Sequence, residues 1–199
     1  MPLPESAVKK IYSSLNKISP VTVDGWMDLQ RLFSVFPVGK HEYIVREGQL
    51  VSSCYFLLEG VVRVFYNKDG IEYNKTFFVQ GMFPTALTAL LTNSPSALSF
   101  QALTPCRLVK FSYQEFMGLF EKHRCLETLF LAILEQLWIK KERHDIRMVT
   151  NNATENYRLF REDFPGLEEL IPQYHVASYL GVSPVQLSRV RAGLASQHR

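Results

Sequence analysis

Residues 174–191 have the sequence YHVASYLGVSPVQLSRVR, and this stretch decides how the C-terminal part of the chain is interpreted. It predicts two short helices joined by a sharp turn, because Gly181 can adopt the positive φ that such a turn requires. Ser183 is expected to cap the second helix, and Pro184 suits its first position, where a missing N–H costs nothing. A helix pair of this kind can place its second helix in the major groove of DNA, although an ordinary helical hairpin has the same pattern.

The second predicted helix carries an outward face suited to nucleic acid. Leu187 and Val190 are three residues apart and are expected to face inward, which leaves Gln186 and Arg189 facing outward. Arginine can pair with guanine O6 and N7, and glutamine can pair with adenine N6 and N7. No Asp or Glu occurs from residue 171 to residue 199. This acid-free surface favours the approach of a phosphate backbone, although a solvated polar helix face would look similar.

The composition is typical of a folded protein of one or two domains. The chain has 199 residues, of which 47% are hydrophobic, and a net charge of +3. No apolar run approaches the roughly 20 residues needed to cross a bilayer, and the N-terminus lacks the apolar core of a signal peptide. A cytoplasmic location without membrane partners is therefore expected. The chain has no GxSxG, HExxH or phosphate-cradling motif, so we do not expect an enzyme.

The middle of the chain changes from helical to alternating periodicity. Residues 5–36 suggest short helices, whereas residues 38–111 contain short β-rich runs separated by glycines at about ten-residue spacing. Asn67-Lys68-Asp69-Gly70 is a strong hairpin turn. This pattern predicts a sandwich or roll. The runs are Tyr43–Val45, Cys54–Leu58, Val61–Tyr66 and Thr76–Val79.

Two segments resemble the Crp/Fnr family of bacterial transcription regulators. IPQYHVASYLGVSPVQLSRVR (171–191) is similar to the DNA-binding end of that family, and VREG (45–48) with YFLLEGVVRV (55–64) is similar to its cyclic-nucleotide-binding β-roll. The resemblance implies an α+β fold class: an N-terminal double-stranded β-helix (jelly-roll) sensor domain, a long dimerisation helix and a small C-terminal winged-type helix-turn-helix domain. The implied domains are residues 1–123, 124–149 and 150–199.

The segment GMFPTALTALLTNSPSALSFQA, residues 81–102, occupies the place of the family's phosphate-binding cassette. In members that bind cyclic AMP, a glutamate follows the glycine and an arginine near the end of the cassette pairs with the cyclic phosphate. Met82 and Ser96 stand at these positions, and no Lys, Arg or His occurs between Lys75 and Arg107. A buried phosphate without a cation is costly. We therefore expect a degenerate pocket that is empty or holds an apolar or weakly polar effector, formed by Gly81, Met82, Phe83, Ser96, Ala97 and Ser99.

Other cofactors of the family are also not expected. An iron–sulfur cluster usually needs four thiolates, whereas Cys54, Cys106 and Cys125 are three scattered cysteines. They are expected to be buried small hydrophobes, since neither a disulfide framework nor a CxxC motif is apparent. Haem needs an axial ligand, and the histidines, which include His175, lie in no such motif and are expected at the surface.

The apolar residues at 126, 130, 133 and 137 step by four, three and four, which suits a coiled-coil seam. The family forms a parallel homodimer through a helix at this place, so the expected dimer interface consists of Leu126, Phe130, Ile133 and Leu137. The alternative is a core helix of a monomer. A two-fold dimer would bind a pseudo-palindromic site. Residues 150–154 are expected to form the hinge that follows.

Each DNA-binding residue is assigned an expected role. Gln186 and Arg189 are the expected base-contacting residues, and Val185 can at most touch a thymine methyl. Phosphate contacts are expected from Gln173, Tyr174 and Arg191, and backbone or base contacts from Ser183 and Ser188.

The expected function is that of a homodimeric transcription regulator that binds double-stranded DNA and is controlled by an effector other than cyclic AMP or by none. RNA polymerase is a further expected partner. The alternative is a cyclic-nucleotide-binding-like ligand or protein-interaction module that no longer binds DNA.

Overall fold

The strands of the computed structural model, which describes residues 3–197, form two antiparallel sheets. They are β1 (Ser34–Val38), β2 (Tyr43–Val45), β3 (Ser53–Glu59), β4 (Val62–Lys68), β5 (Ile71–Phe78), β6 (Ser99–Ala102) and β7 (Cys106–Ser112). The first sheet has the order β1-β7-β3, and the second has the order β2-β6-β4-β5. The two sheets enclose a hydrophobic interior and make a β-roll, as the alternating pattern predicts.

Helices cover both outer faces of the roll. They are α1 (Glu5–Ile18), α2 (Val23–Arg31), α3 (Leu87–Thr92), α4 (Tyr113–Gly118), α5 (Arg124–Thr150), α6 (Ala153–Asp163), α7 (Leu167–Leu170), α8 (Gln173–Tyr179) and α9 (Pro184–Gln197). One hydrophobic cluster joins α1, α2, α4 and α5 to the outer face of the first sheet. Another joins the helices from α6 to α9 to residues of the second half of the roll. The C-terminal helices therefore pack on the roll.

Because side chains alternate along a strand, the two faces of the first sheet contribute to two different hydrophobic clusters. In β3, Tyr55 and Leu57 point into the roll, whereas Cys54 and Phe56 point to the helices outside. All four side chains are buried, so the strand is an almost continuous hydrophobic run. The predicted hairpin turn is present between β4 and β5, where Asp69 and Gly70 both have positive φ, 55° and 83°. These angles fit a tight two-residue connection.

The first part of the predicted dimer seam on α5 packs on its own chain, which contradicts the prediction for Leu126. Leu126 is fully buried, and the ring of Phe130 lies 5.8 Å from those of Phe116 and Phe120. Ile133 packs on the same cluster. Leu137 is 44% exposed. The helix is apolar on two faces, and the roll covers the face with the regular four-three-four spacing. Apart from Leu137, the large apolar residues of this helix that remain exposed lie on the opposite face and are Leu131, Trp138, Ile139, Ile146 and Val149.

The predicted wing is also not found among the described residues of the C-terminal part, 150–197, which contains helices and no strand. Helix α9 continues through Gly193 because Leu194 is buried in the same cluster as Leu187, two helical turns earlier. Between α5 and α6, the expected hinge shortens to Asn151 and Asn152. Asn152 forms a capping box with Glu155, which fixes the start of α6.

Candidate nucleic-acid interface and effector pocket

The helix pair α8–α9 has the geometry that the turn residues predict. Gly181 adopts a φ of 67°, and the Val182 N–H donates to the carbonyl of Ala177 at 3.0 Å, which closes the end of α8. The Ser183 hydroxyl accepts a hydrogen bond from the Gln186 N–H at 3.1 Å. Helix α9 therefore begins at Pro184 with a side-chain cap, as expected.

Helix α9 presents most of the predicted DNA-contacting residues to solvent. Leu187 is buried with 1% exposure and anchors the helix. The Nε atom of Arg191 lies 3.7 Å from a carboxylate oxygen of Glu168, so a phosphate would compete with this carboxylate for Arg191. The exposed predicted residues of this helix and its cap are Ser183, Val185, Gln186, Ser188, Arg189 and Arg191.

The two predicted phosphate-contacting residues at the start of α8 differ in their surroundings. Tyr174 is 56% exposed. The side chain of Gln173 is partly buried, and its Nε2 donates to the carbonyl of Glu168 at 2.9 Å. Gln173 therefore holds α7 and α8 together, and only Tyr174 is freely presented at this helix end.

A buried polar junction joins the roll to α8, and the sequence analysis missed it. Arg63 on the outer face of β4 donates through Nε to Gln101 at 2.8 Å and through Nη1 to Glu72 at 2.6 Å. The same Nη1 lies 3.4 Å from Nδ1 of His175, a residue 112 positions further along the chain. His175 is 3% exposed, so the prediction of a surface histidine is wrong for this residue. An arginine between buried valines in β4 is the only sequence feature that suggests such a site.

Asn74 completes the junction from the neighbouring strand. Its Nδ2 lies 3.2 Å from Nδ1 of His175 and donates to the His175 carbonyl at 3.1 Å. Since both side chains that approach Nδ1 are donors, Nδ1 accepts and the neutral ring carries its proton on Nε2. Ser178 accepts from the Asn74 backbone N–H and donates to the Glu72 carbonyl, both at 3.0 Å.

Burial and charge keep His175 neutral. Loss of hydration, followed by the nearby Arg63 guanidinium, lowers the pKa of His175 from 6.5 to about 4, and Glu72 opposes this shift. Protonation would also remove the lone pair that accepts from Asn74. The junction is thus built for an uncharged imidazole.

The cassette segment, residues 81–102, does not bring the six predicted pocket residues together. The buried hydroxyl of Ser96 donates to the Leu98 carbonyl at 2.7 Å, and that of Ser99 accepts from the Glu47 N–H at 3.0 Å. The Ser96 hydroxyl therefore spends its proton within the chain, whereas Ser99 contributes a lone pair. The ring of Phe83 packs on Phe56, 5.1 Å between centroids. Gly81 and Met82 are partly exposed, and Ala97 is exposed.

The interior of the roll holds no buried cation to pair with a phosphate. Among the described residues, Arg63 is the only Lys or Arg that is buried. Its neighbours Val62 and Val64 point into the roll, so Arg63 points out of it, toward α8. The geometry of the cassette segment thus agrees with the missing arginine in the sequence.

Among known proteins, the roll has the similarity that identifies a domain. Residues 36–123 match the family model of the cyclic nucleotide-binding domain. Human potassium/sodium hyperpolarization-activated cyclic nucleotide-gated channel 2 is 28% identical over 164 residues, which cover 76% of this chain and 17% of the channel. The rabbit channel 4 is 31% identical over 62% of this chain and 11% of its own length. The chain therefore spans less than a fifth of the length of these curated relatives.

Several solved structures resemble the chain beyond the roll. The c-di-GMP-responsive global regulator CLP of Xanthomonas campestris superposes with a TM-score of 0.68 at 18% identity, over 89% of this chain and 93% of its own. FixK2 of Bradyrhizobium japonicum gives 0.69 at 18% identity, over 83% and 86%. A CooA variant of Carboxydothermus hydrogenoformans gives 0.67 at 14% identity, over 84% and 78%. At these identities the likeness concerns the fold.

The described part of the chain, residues 3–197, offers neither a metal site nor a membrane span. No group of three or more His, Cys, Asp or Glu side chains there is arranged to hold a metal ion. No helix in that range is long and apolar enough to cross a membrane. Cys54 and Cys106 are buried, as expected, and Cys125 is partly buried.

Proposed function

We propose that the protein is a sequence-specific DNA-binding transcription regulator of the Crp/Fnr type. The observation that carries this proposal is the solvent-facing surface of α9, where Gln186 and Arg189 are exposed while Leu187 anchors the opposite side. Arginine and glutamine are the side chains that best match guanine and adenine edges in the major groove. The protein would act in the bacterial cytoplasm, would not be an enzyme, and would contact RNA polymerase at its promoters.

The exposed apolar face of α5 supports a homodimer as the active form. Leu131, Trp138 and Val149 lie along this face at heptad-compatible spacing, and each is more than half exposed. Pairing two such helices would bury these side chains and place two copies of α9 about a two-fold axis. The dimer would then bind a pseudo-palindromic site with half-sites about one helical turn apart.

Arg189→Ala tests base recognition directly. Selection of bound genomic fragments first supplies the operator, and fluorescence anisotropy then compares the operator with random DNA. We expect the substitution to weaken operator binding by about 1–3 kcal/mol and to relax the base preference at one position of each half-site.

The control for this experiment is Arg191→Ala on the same helix. It removes a cation that we assign to the phosphate backbone, so its loss should be similar on operator and random DNA and should reduce the salt dependence. An equal loss on both DNAs for Arg189→Ala would contradict base recognition by that residue.

We further propose that cyclic AMP and cyclic GMP do not control the protein. Among the described residues a cyclic phosphate inside the roll would meet no buried cation, and the Ser96 hydroxyl already donates to the Leu98 carbonyl. Titration calorimetry with either nucleotide is expected to show no binding tighter than roughly 10 μM. A tighter saturable isotherm would mean that the phosphate finds a cation that this conformation does not offer.

The buried junction at α8 supports a second candidate function. Helix α8 is tied to the roll by Asn74 and Ser178. In this second function the helix pair would be a fixed support for the roll in a ligand-binding or protein-interaction module without DNA affinity. Genomic selection separates the two functions. Enrichment of a palindromic sequence supports the regulator, and failure to enrich any fragment supports the module.

A further inference from the structure

A cavity of about 140 Å³ lies between the first sheet and the helices that cover it, and it reaches Phe78 of the second sheet. Phe56 and Phe111 form its floor on the sheet, and Phe83 and Leu87 of the cassette segment form one wall. Ile133 and Leu137 of α5 form the opposite wall, and α1 and α2 contribute further aliphatic side chains. Leu137 is 44% exposed, so it lies at the rim, where the cavity meets solvent.

The lining offers almost no polar partner. No residue that lines the cavity is charged. Of the polar atoms, the Thr85 hydroxyl is already within hydrogen-bond distance of the backbone N–H and carbonyl of Tyr55, at 2.9 and 3.4 Å. Burial raises the pKa of the Cys54 thiol to about 12, so the thiol stays neutral. A charged ligand would lose its hydration here without compensation, and water would find too few partners.

The size of the cavity limits what can fill it. An engineered cavity of about 150 Å³ lined by leucine, isoleucine and phenylalanine stays dry and binds benzene. The lining here has the same chemistry and nearly the same volume. We propose that the cavity is a binding site for a neutral, apolar small molecule with the bulk of one aromatic ring or a compact alkyl group.

The position of the cavity indicates how such a ligand would influence the dimer-forming helix α5. Its walls belong to the cassette segment and to α5, and the opposite face of α5 is the one we assign to dimerisation. A ligand between Leu87 and Ile133 would hold these two elements at a fixed separation. This regulatory step rests on the proposed function, whereas the binding step does not.

Thermal unfolding of the full chain with toluene and with benzoate tests the binding step. Both probes carry one ring, but benzoate adds a charge. We expect toluene at several times its dissociation constant to raise Tm by about 2–4 °C, with a saturable dependence on its concentration. Benzoate at the same concentrations should leave Tm unchanged.

Two substitutions on α3 provide the matched comparison. Leu87→Phe places a larger side chain in the cavity, whereas Leu91→Phe makes the same change one turn later at a residue that is 54% exposed. Leu87→Phe should abolish the toluene effect, and Leu91→Phe should keep it. Circular dichroism of both variants without ligand verifies that they fold, and Ile133→Phe fills the cavity from the opposite wall if Leu87→Phe does not.

Several outcomes would overturn the proposal. These are no toluene shift in the unsubstituted protein, an equal shift with benzoate, or a toluene shift that survives in both filled variants. Operator binding is measured separately with and without toluene. A toluene shift in a protein that binds no DNA would leave the site intact and reject only the proposed function.

Discussion

Phe77→Ala is expected to lower the free energy of unfolding by about 3–5 kcal/mol and to loosen the C-terminal helices from the roll. Phe77 is 1% exposed, and its ring lies 5.6 Å from that of Tyr179, 5.8 Å from that of Phe164 and 6.2 Å from that of Phe160. Three aromatic rings from the C-terminal helices thus surround one side chain of the second sheet. Its removal leaves a cavity that these rings cannot close without moving.

The matched control for this change is Phe100→Ala. Phe100 is 3% exposed and belongs to the same sheet, but its ring points into the roll and stacks on Phe78. Both variants should lose similar stability in denaturant titrations. Hydrogen exchange distinguishes them, because only Phe77→Ala should speed the exchange of amides in α6 and α8. Unchanged exchange there, or a loss below about 1 kcal/mol, would show that the aromatic cluster does not hold the two parts together.

Acidification is expected to weaken the same interface through His175. The pKa of His175 in the folded chain, about 4, lies below its ordinary value of 6.5. Between these two pH values His175 is therefore protonated in the unfolded chain but not in the folded chain. The stabilisation is therefore fully present above pH 6.5 and is lost as the pH falls toward 4. The difference corresponds to roughly 3 kcal/mol.

Denaturant titrations between pH 4 and pH 7 measure this dependence. His175→Gln keeps an acceptor for Asn74 but cannot titrate, so its stability should vary less over this range. His41 also lies near the junction, as do the charges of Arg63 and Glu72, so His41→Gln is the control that removes the other nearby imidazole and keeps His175. Equal slopes in His175→Gln and the unsubstituted protein would assign the acid sensitivity to other groups.

Local patterns in the sequence account for the parts of the fold that were predicted. Strands β2, β3 and β4 follow from β-rich runs and turn residues, and the start of α9 follows from Ser183 and Pro184. Strand β5 begins at Ile71, five residues before the predicted run at 76–79. Strand β1 was not separated from the preceding helices, because a proline in a five-residue run hides its alternation. The lack of a cation in the cassette segment could be predicted because it requires only the residue types of that segment and no knowledge of their positions in space.

Features that depend on which surfaces meet were not predictable. Helix α5 has two apolar faces, and the sequence does not reveal that the roll takes the one containing Leu126 and Phe130. The junction between Arg63 and His175 spans 112 residues and carries no local pattern. The cavity is lined by residues from the sheets, the cassette segment and four helices that lie far apart in the sequence, so no local pattern reveals it.

The hydrogen bonds of Ser178 have a consequence for how the protein behaves among its own copies. Strand β5 is the outer strand of its sheet, and an outer strand offers unpaired backbone groups that can recruit a strand from another molecule. The Ser178 hydroxyl occupies two of these groups, the N–H of Asn74 and the carbonyl of Glu72. Helix α8 therefore also protects against aggregation. If it separates from the roll, β5 exposes unpaired backbone groups that can form a sheet with a strand of another molecule.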